Sequence, residues 1–472
     1  MFSMIFFNKK LKFVYLFCIL RANLYLCTPK KDFIKERKMK KRIIVSLLAG
    51  MALLPSMAQV STTLSPYSQY GLGILSDQSL GFNRGMGGVA YGLRSGKYVN
   101  MQNPASYSAI DSLTMLIDAG VTGQIANYKE GGVSMNKKTG NFDYAVAGFR
   151  LLPHVGVALG VVPYSNIGYS YSHKGTINTT EEGTTTSMLS YNGSGGFSQF
   201  FVGAGWQLTR NLSLGVNVSY FWGNYSKTIS MNLSESDYNS ETRSYETSVS
   251  SYKLDFGAQW QQPVSKTDLL TIGATFGLGH KLGADAELNT LNSSTSNTSV
   301  TSTTMTAANA LSIPFTFGLG ASVLHKHSLT LALDYNLQKW SSLDYPVFSN
   351  LNGKGSYKLQ GDYFKDRHRI AAGVDWMPNP MGRKFYQLVH YRMGVSYATP
   401  YYKIGTQDGP GELSVSAGFG IPLYNSWNNR STLNISAQWV RTTGCDLIKE
   451  NMFRINIGLT FNERWFAKWK VD

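Results

Sequence analysis

Charge and cysteine are what this sequence has least of. Asp, Glu, Lys and Arg make up 15% of its 472 residues, where an ordinary soluble domain carries about 25%. Cysteine occurs only at 18, 27 and 445. The first two fall in a targeting region, and Cys445 alone excludes an internal disulfide or a cysteine-built metal cluster in an exported product. No apolar run after Leu54 is long enough for a transmembrane helix. There is no GxSxG elbow of the kind that exposes a hydrolase serine. The glycine-rich GMGGVAYG from Gly85 to Gly92 lacks the preceding strand and following helix of a dinucleotide loop. His325 and His327 form a pair without a third ligand, the pattern of solvated turn residues. The expectation is a protein that is not an enzyme and takes no metal and no cofactor.

What the N-terminus does contain is an export signal. From Met39 the chain reads MKKRIIVSLLAGMALLPSMAQ: a basic start, an apolar stretch from Ile43 to Leu54, then Ser56-Met57-Ala58 as a small-x-small cleavage site. Cutting after Ala58 makes Gln59 the first mature residue, and the absence of cysteine there argues against a lipid anchor. Residues 1–38 precede a complete signal and are read as an extension from an early start codon, a genuine extension being the alternative. Residues 1–58 hold 12 Lys and Arg against 2 Asp and Glu, so removing them lowers the net charge from +16 to +6. That leaves little reason to expect nucleic acid as a partner.

The mature chain, with 47 glycines in the full sequence and 13% aromatics, is patterned as strands. In NLSLGVNVSY, Leu212, Leu214, Val216, Val218 and Tyr220 alternate with Ser213, Gly215, Asn217 and Ser219. FRINIGLTF, from Phe453 to Phe461, and STLNISAQW, from Ser431 to Trp439, repeat the period. One face is greasy and the other small and polar, as in a barrel with lipid outside and water inside. Short links are expected around 152–154, 209–211, 262–267, 325–327, 378–385 and 424–430. Longer ones are expected around 129–140, 173–186, 226–249, 285–309, 341–363, 399–411 and 442–450. This alternation is that of a bacterial outer-membrane barrel with tight periplasmic turns and long outer loops, about fourteen antiparallel strands over 113–461, both ends being periplasmic. The Ser/Thr/Asn-rich run in 285–309 need not be ordered. Residues 462–472 form a periplasmic tail.

Residues 59–112 precede the first strand, and their stretch NRGMGGVAYGLRSGKYVNMQNPASYSAID has no sustained period. A barrel of this size has room for such a segment as a plug in its lumen, where irregular backbone is tolerated.

The GMGG of Gly85–Gly88 with the NPA of Asn103, Pro104 and Ala105, the run from Ser312 to Ser342, and FKDRHRIAAGVDW from Phe364 to Trp376 resemble the FadL/TodX family of outer-membrane hydrophobic-compound transporters. The resemblance implies an all-β, fourteen-stranded transmembrane barrel with an N-terminal hatch, and passive uptake of a hydrophobic small molecule, a long-chain fatty acid or similar. It implies a plug held by Gly85, Gly87, Gly88, Asn103, Pro104 and Ala105, and a sideways exit at a kinked third strand. Here that strand is VGVALGVVPYSNIGYSY, with Gly160, Pro163 and Gly168. Proline donates nothing to a ladder, so Pro163 independently marks a broken pairing or a plain bulge. Asp334, Lys365, Asp366, Arg369 and Arg392 are the expected lumen charges. The outer loops are polar, unlike the apolar loops of members that take up fatty acids. The expected partners are the solute, outer-membrane lipid and the barrel-assembly machinery, the chain being a monomer. A second function stands beside transport: a barrel component of a protein-secretion or other interaction assembly.

Overall fold

The computed structural model describes residues 65–130, 132–178, 184–233, 240–294, 299–351, 354–423, 431–443 and 448–463. The expected signal at 39–58, residues 1–38, the start of the expected plug at 59–64, Cys445 and residues 464–472 of the expected tail 462–472 lie outside these, while Asn462 and Glu463 continue the last strand instead of starting the tail.

Fourteen long strands build one antiparallel sheet: β1 Met115–Glu130, β2 Val133–Leu152, β3 Val155–Asn178, β4 Thr184–Gln207, β5 Leu212–Leu233, β6 Ser240–Pro263, β7 Asp268–Gly277, β8 Phe315–His325, β9 Leu329–Lys339, β10 Arg367–Trp376, β11 His390–Ala398, β12 Gly411–Leu423, β13 Ser431–Thr443 and β14 Lys449–Glu463. Each pairs with the next. The run from Met115↔Glu463 to Lys129↔Lys449 joins β1 to β14 and closes the barrel. The period-2 pattern explains the wall. On β14, Phe453, Ile455, Ile457 and Phe461 point outward and are exposed, while Asn456, Thr460 and Asn462 point inward and are buried. On β5, Leu214, Val218 and Tyr220 face out and Ser213, Asn217 and Ser219 face in. An apolar outer surface of this kind is solvated by lipid. Trp206, Trp260 and Trp376 stand exposed near one rim, as interfacial aromatics do.

The turns after β2, β4, β6 and β8 are tight, as expected. The link of residues 377–389 differs, carrying one helical turn at Phe385–Leu388. At the opposite rim the sequence reading needs correction. The stretches 129–140, 173–186 and 226–249, expected as loops, are largely continuations of β1 to β6, and Ala286–Ser294 with Ser299–Ala307 forms a hairpin paired to β6. Above a membrane both faces of a strand meet water, so Ser, Thr and Asn occupy both and the apolar half of the alternation vanishes.

One seam is incomplete. β2 pairs with β3 only from Leu152↔Val155 to Ala145↔Val161, and beyond that β2 pairs with β1 alone. The inner segment covers part of the exposed β3 edge: Ile74 and Leu75 pair with Asn166 and Ser165, and the Ser76 amide donates to the Tyr164 carbonyl.

Candidate functional site

Residues 65–112 are fastened to the inward faces of the wall by polar contacts. Arg84 donates to Asp143 at 2.6 Å, to Thr122 at 2.7 Å and to Asn456 at 2.9 Å, and is itself buried. A bulge between Gly120 and Val121 leaves Asp143 outside the β1–β2 register, which turns both Asp143 and Tyr144 inward. Burial opposes the charge on Arg84, but Asp143 and then Asp77 more than compensate and raise its pKa. Asp334 on β9 accepts from the amides of Ala90 and Tyr91. Gln259 on β6 donates to the carbonyls of Tyr91 and Leu93, each at 3.0 Å, and Tyr107 donates to Asn217 at 3.0 Å. Charge-assisted bonds inside a wall are worth more than their surface counterparts.

The mouth opposite the tight turns is filled by aromatic side chains. Tyr67 and Leu72 of the inner segment, Phe197, Phe221 and Tyr225 of the wall, and Trp340, Tyr345, Phe364, Tyr401 and Tyr402 of the outer links form one buried cluster. Trp340 is 0% exposed and packs against Phe364 and Tyr401. Lys227 reaches into it and donates to the carbonyls of Gln69 (2.8 Å) and Gly71 (3.0 Å) and to the Tyr345 hydroxyl (3.1 Å). The Tyr401 hydroxyl donates to the Gly73 carbonyl. Beneath the cluster is a cavity of about 180 Å³ lined by Asp77, Lys253, Asp255, Arg367, Arg369, Glu412 and Arg454. It is smaller than the roughly 300–1,000 Å³ of small-molecule sites, and its lining is mixed, with Ile74, Met101, Phe201, Phe276 and Ile313 among the apolar residues beside the charges. A space of about 70 Å³ at the open β2–β3 seam is lined by Asp77, Arg84, Asn141, Asp143 and Pro163 among others.

The residues singled out from the sequence fall in five places. Gly87 and Gly88 have φ of +70° and +75°, the left-handed region where a side chain is strained, and the Gly87 carbonyl accepts from Arg369 at 2.6 Å. Gly85 lies against Gly418 and Arg392. Asn103 caps the 3₁₀ turn Pro104–Ala109 through the Ala105 amide and donates to the Tyr91 carbonyl at 2.8 Å, so Asn103, Pro104 and Ala105 form one unit packed on β4, β5 and β6. On β3, the register slips between Pro163 and Ser165, Gln78 donates to the Pro163 carbonyl at 2.8 Å, and Gly168 exchanges hydrogen bonds with the Ser68 hydroxyl. Gly160 sits lower, within the paired part of the seam. Of the charges, Asp334, Arg369 and Arg392 face the lumen, Arg392 bonding Asn434 at 2.6 Å and reaching Asp375 at 3.4 Å. Lys365 and Asp366 instead stand in an outer link, paired with Asp408 and Lys339. Sequence reasoning missed the Arg84–Asp143 pair, whose signal is the slip in alternation at Asn141-Phe142-Asp143-Tyr144, and it missed Lys227.

The BamG family model matches residues 39–472. The chain belongs to the BamG family. Comparison with curated proteins finds no match. Among solved structures, this BamG-family chain superposes on the toluene transporter TodX of Pseudomonas putida with a TM-score of 0.54 at 14% identity, over 84% of this chain and 99% of that one. The toluene transporter TbuX of Ralstonia pickettii gives 0.52 at 14% identity, over 80% and 96%. A FadL homologue of Pseudomonas aeruginosa gives 0.54 at 13% identity, over 83% and 100%. At these identities the likeness is one of fold, the FadL-like outer-membrane barrel expected from the sequence.

Proposed function

We propose that this chain is a non-enzymatic outer-membrane barrel that acts as a subunit of the barrel-assembly machinery, with its lumen kept closed. The observation that carries this reading is the filled bore: aromatic side chains pack the outer mouth around Trp340, and charged groups line the space below. A greasy solute meets a plugged mouth and, below it, a small space in which apolar side chains are interleaved with charged ones, so its passage would have to displace the aromatic cluster and desolvate ions. The printed name of the matching family supports the assembly role. In this reading residues 39–58 are the cleaved signal, mature protein starts at Gln59, and residues 59–112 are a plug held by Gly85, Gly87, Gly88, Asn103, Pro104 and Ala105.

A second reading, uptake of a hydrophobic compound, draws on the seam that stops at Ala145↔Val161 beside Pro163. The solved proteins of this fold named as toluene transporters support it. In that reading the solute leaves sideways past Gly160, Pro163 and Gly168. Purification from native membranes and a proteoliposome assay with toluene and a labelled fatty acid separate the two. Recovery of the assembly machinery together with uptake no faster than in protein-free vesicles is the expected result. Uptake of either compound well above the protein-free rate, with no recovery of the assembly machinery, would overturn it in favour of transport.

A further inference from the structure

The rim of tight turns, periplasmic by the barrel rule, holds a second cavity that neither reading above uses. Its volume is about 320 Å³. Its apolar walls are the Phe82 and Tyr98 rings, stacked at 3.7 Å, with Leu93, Leu324 and Met377. Into it project Arg94 and Lys97 of the inner segment. Arg94 donates to the Ala105 carbonyl at 3.1 Å and to Gln259 at 3.4 Å, and neither cation has a carboxylate partner among the described residues. Burial first, and the neighbouring Arg150 second, pull the Arg94 pKa down to about 10, so it remains charged at neutral pH. The carboxylate in the lining, Asp375, is already held by His390 and Arg392, and Asp111, beside Gly96, is not free. The adjoining link 377–389 adds Arg383 and Lys384, both exposed, next to exposed Met381, Phe385 and Tyr386.

From this juxtaposition of unpaired cations and apolar walls we infer that the periplasmic cavity is a docking site for an acidic peptide segment with apolar side chains, supplied by a periplasmic partner. Two features select a peptide over the bilayer. Arg94 is held inside the bore between the Ala105 carbonyl and Gln259 of the wall, where a lipid headgroup of the surrounding membrane cannot reach. The cavity also lies at the rim of tight turns, on the side of the compartment in which an assembly partner works. Carboxylates would bridge Arg94 and Lys97, with an aromatic or aliphatic neighbour laid against Phe82, Tyr98 and Leu324. The inference rests on the assembly reading for its partner and on the cavity alone for its chemistry.

The test uses the full barrel in nanodiscs of zwitterionic lipid. Its probes are a fluorescein-labelled nonapeptide alternating aspartate with phenylalanine and a control alternating lysine with phenylalanine. Anisotropy titration is expected to show the acidic peptide binding at least about tenfold more tightly than the basic one, and more weakly as salt rises. Lys97→Glu, at an exposed position, and the double variant Arg94→Gln with Lys97→Gln should each weaken it about tenfold while the barrel remains heat-modifiable. Equal binding of the two peptides, or a Lys97→Glu affinity within about twofold of the parent, would overturn the site. So would binding that appears only when the nanodisc carries anionic lipid. If those results came with the assembly machinery still co-purifying, the site would fall and the assembly reading would stand. Peptide binding as expected without co-purification would do the reverse.

Discussion

Two seams of the barrel make an instructive pair. β1 and β14 are far apart in the chain, yet their ladder is continuous from Met115↔Glu463 to Lys129↔Lys449. β2 and β3 are joined by a tight turn, yet their ladder stops at Ala145↔Val161. Sequence proximity therefore does not decide which seam is complete. What distinguishes the open seam is local chemistry: a proline without a donor, a bulge that swings Asp143 inward to Arg84, and two inner residues, Ile74 and Leu75, that pair with the β3 edge. The wall is interrupted where the inner segment needs its hydrogen bonds.

The largest effect is expected at the ion pair beside the open seam. Arg84→Met leaves Asp143 buried without its cation and should cost about 3–5 kcal/mol, read as a fall in the urea midpoint of the heat-modifiable form in detergent. A loss below about 1 kcal/mol would mean that the inner segment is not anchored there. On the closed seam, Ile457→Arg puts a charge on the lipid face opposite Val121 and should cost about 2–4 kcal/mol in vesicle refolding. An unaffected variant would mean that this stretch of β14 does not cross the bilayer core.

Asp77 should make stability at the open seam depend on pH. Burial tends to raise its pKa, but Arg84, then Arg369 and Ser79, outweigh that and bring it to about 2. Because the folded value lies below the unfolded one, its contribution is complete above pH ~4 and is lost as pH falls toward 2. Asp77→Asn should flatten the thermal midpoint between those pH values, by about 1–2 kcal/mol relative to the parent. An unchanged slope would remove Asp77 from the network. The smallest effect, under about 1 kcal/mol, is expected of Pro163→Val, because Gln78 and Ile74–Leu75 hold that edge whether or not residue 163 donates. Hydrogen exchange at residues 162–166 should remain near parental. Strong new protection reaching into 139–144 would show that the proline alone keeps the seam apart. Gly160→Val is a poor companion, since a side chain there meets the Ala145 carbonyl at 2.6 Å and Val146 at 2.7 Å.

The barrel was legible because lipid and water on opposite faces write a period of two into β5, β13 and β14. The same rule hid the outer halves of β1 to β6, where water lies on both sides and Ser, Thr and Asn read as loop. Asp334 and Arg392 could be placed in the lumen from their strand face. Lys365 and Asp366 could not, because β10 begins one residue later and leaves them in a link. Pro163 announced an irregularity, but nothing in Ile74-Leu75, two apolar residues in an aperiodic stretch, says that they will act as a strand. That outcome depends on an edge made available by a bulge elsewhere.

The contacts of the inner segment also set an order in time. Ser65 donates to Glu450, Tyr67 to the Ile448 carbonyl, and Arg84 to Asn456, pairing the inner segment with the last strand and the residue just before it. Closing loops of that length carries an entropic cost that late contacts must offset. The inner segment therefore completes its polar contacts only once β14 is in place. Closing the wall and seating the inner segment thus draw on the same polar groups of β14.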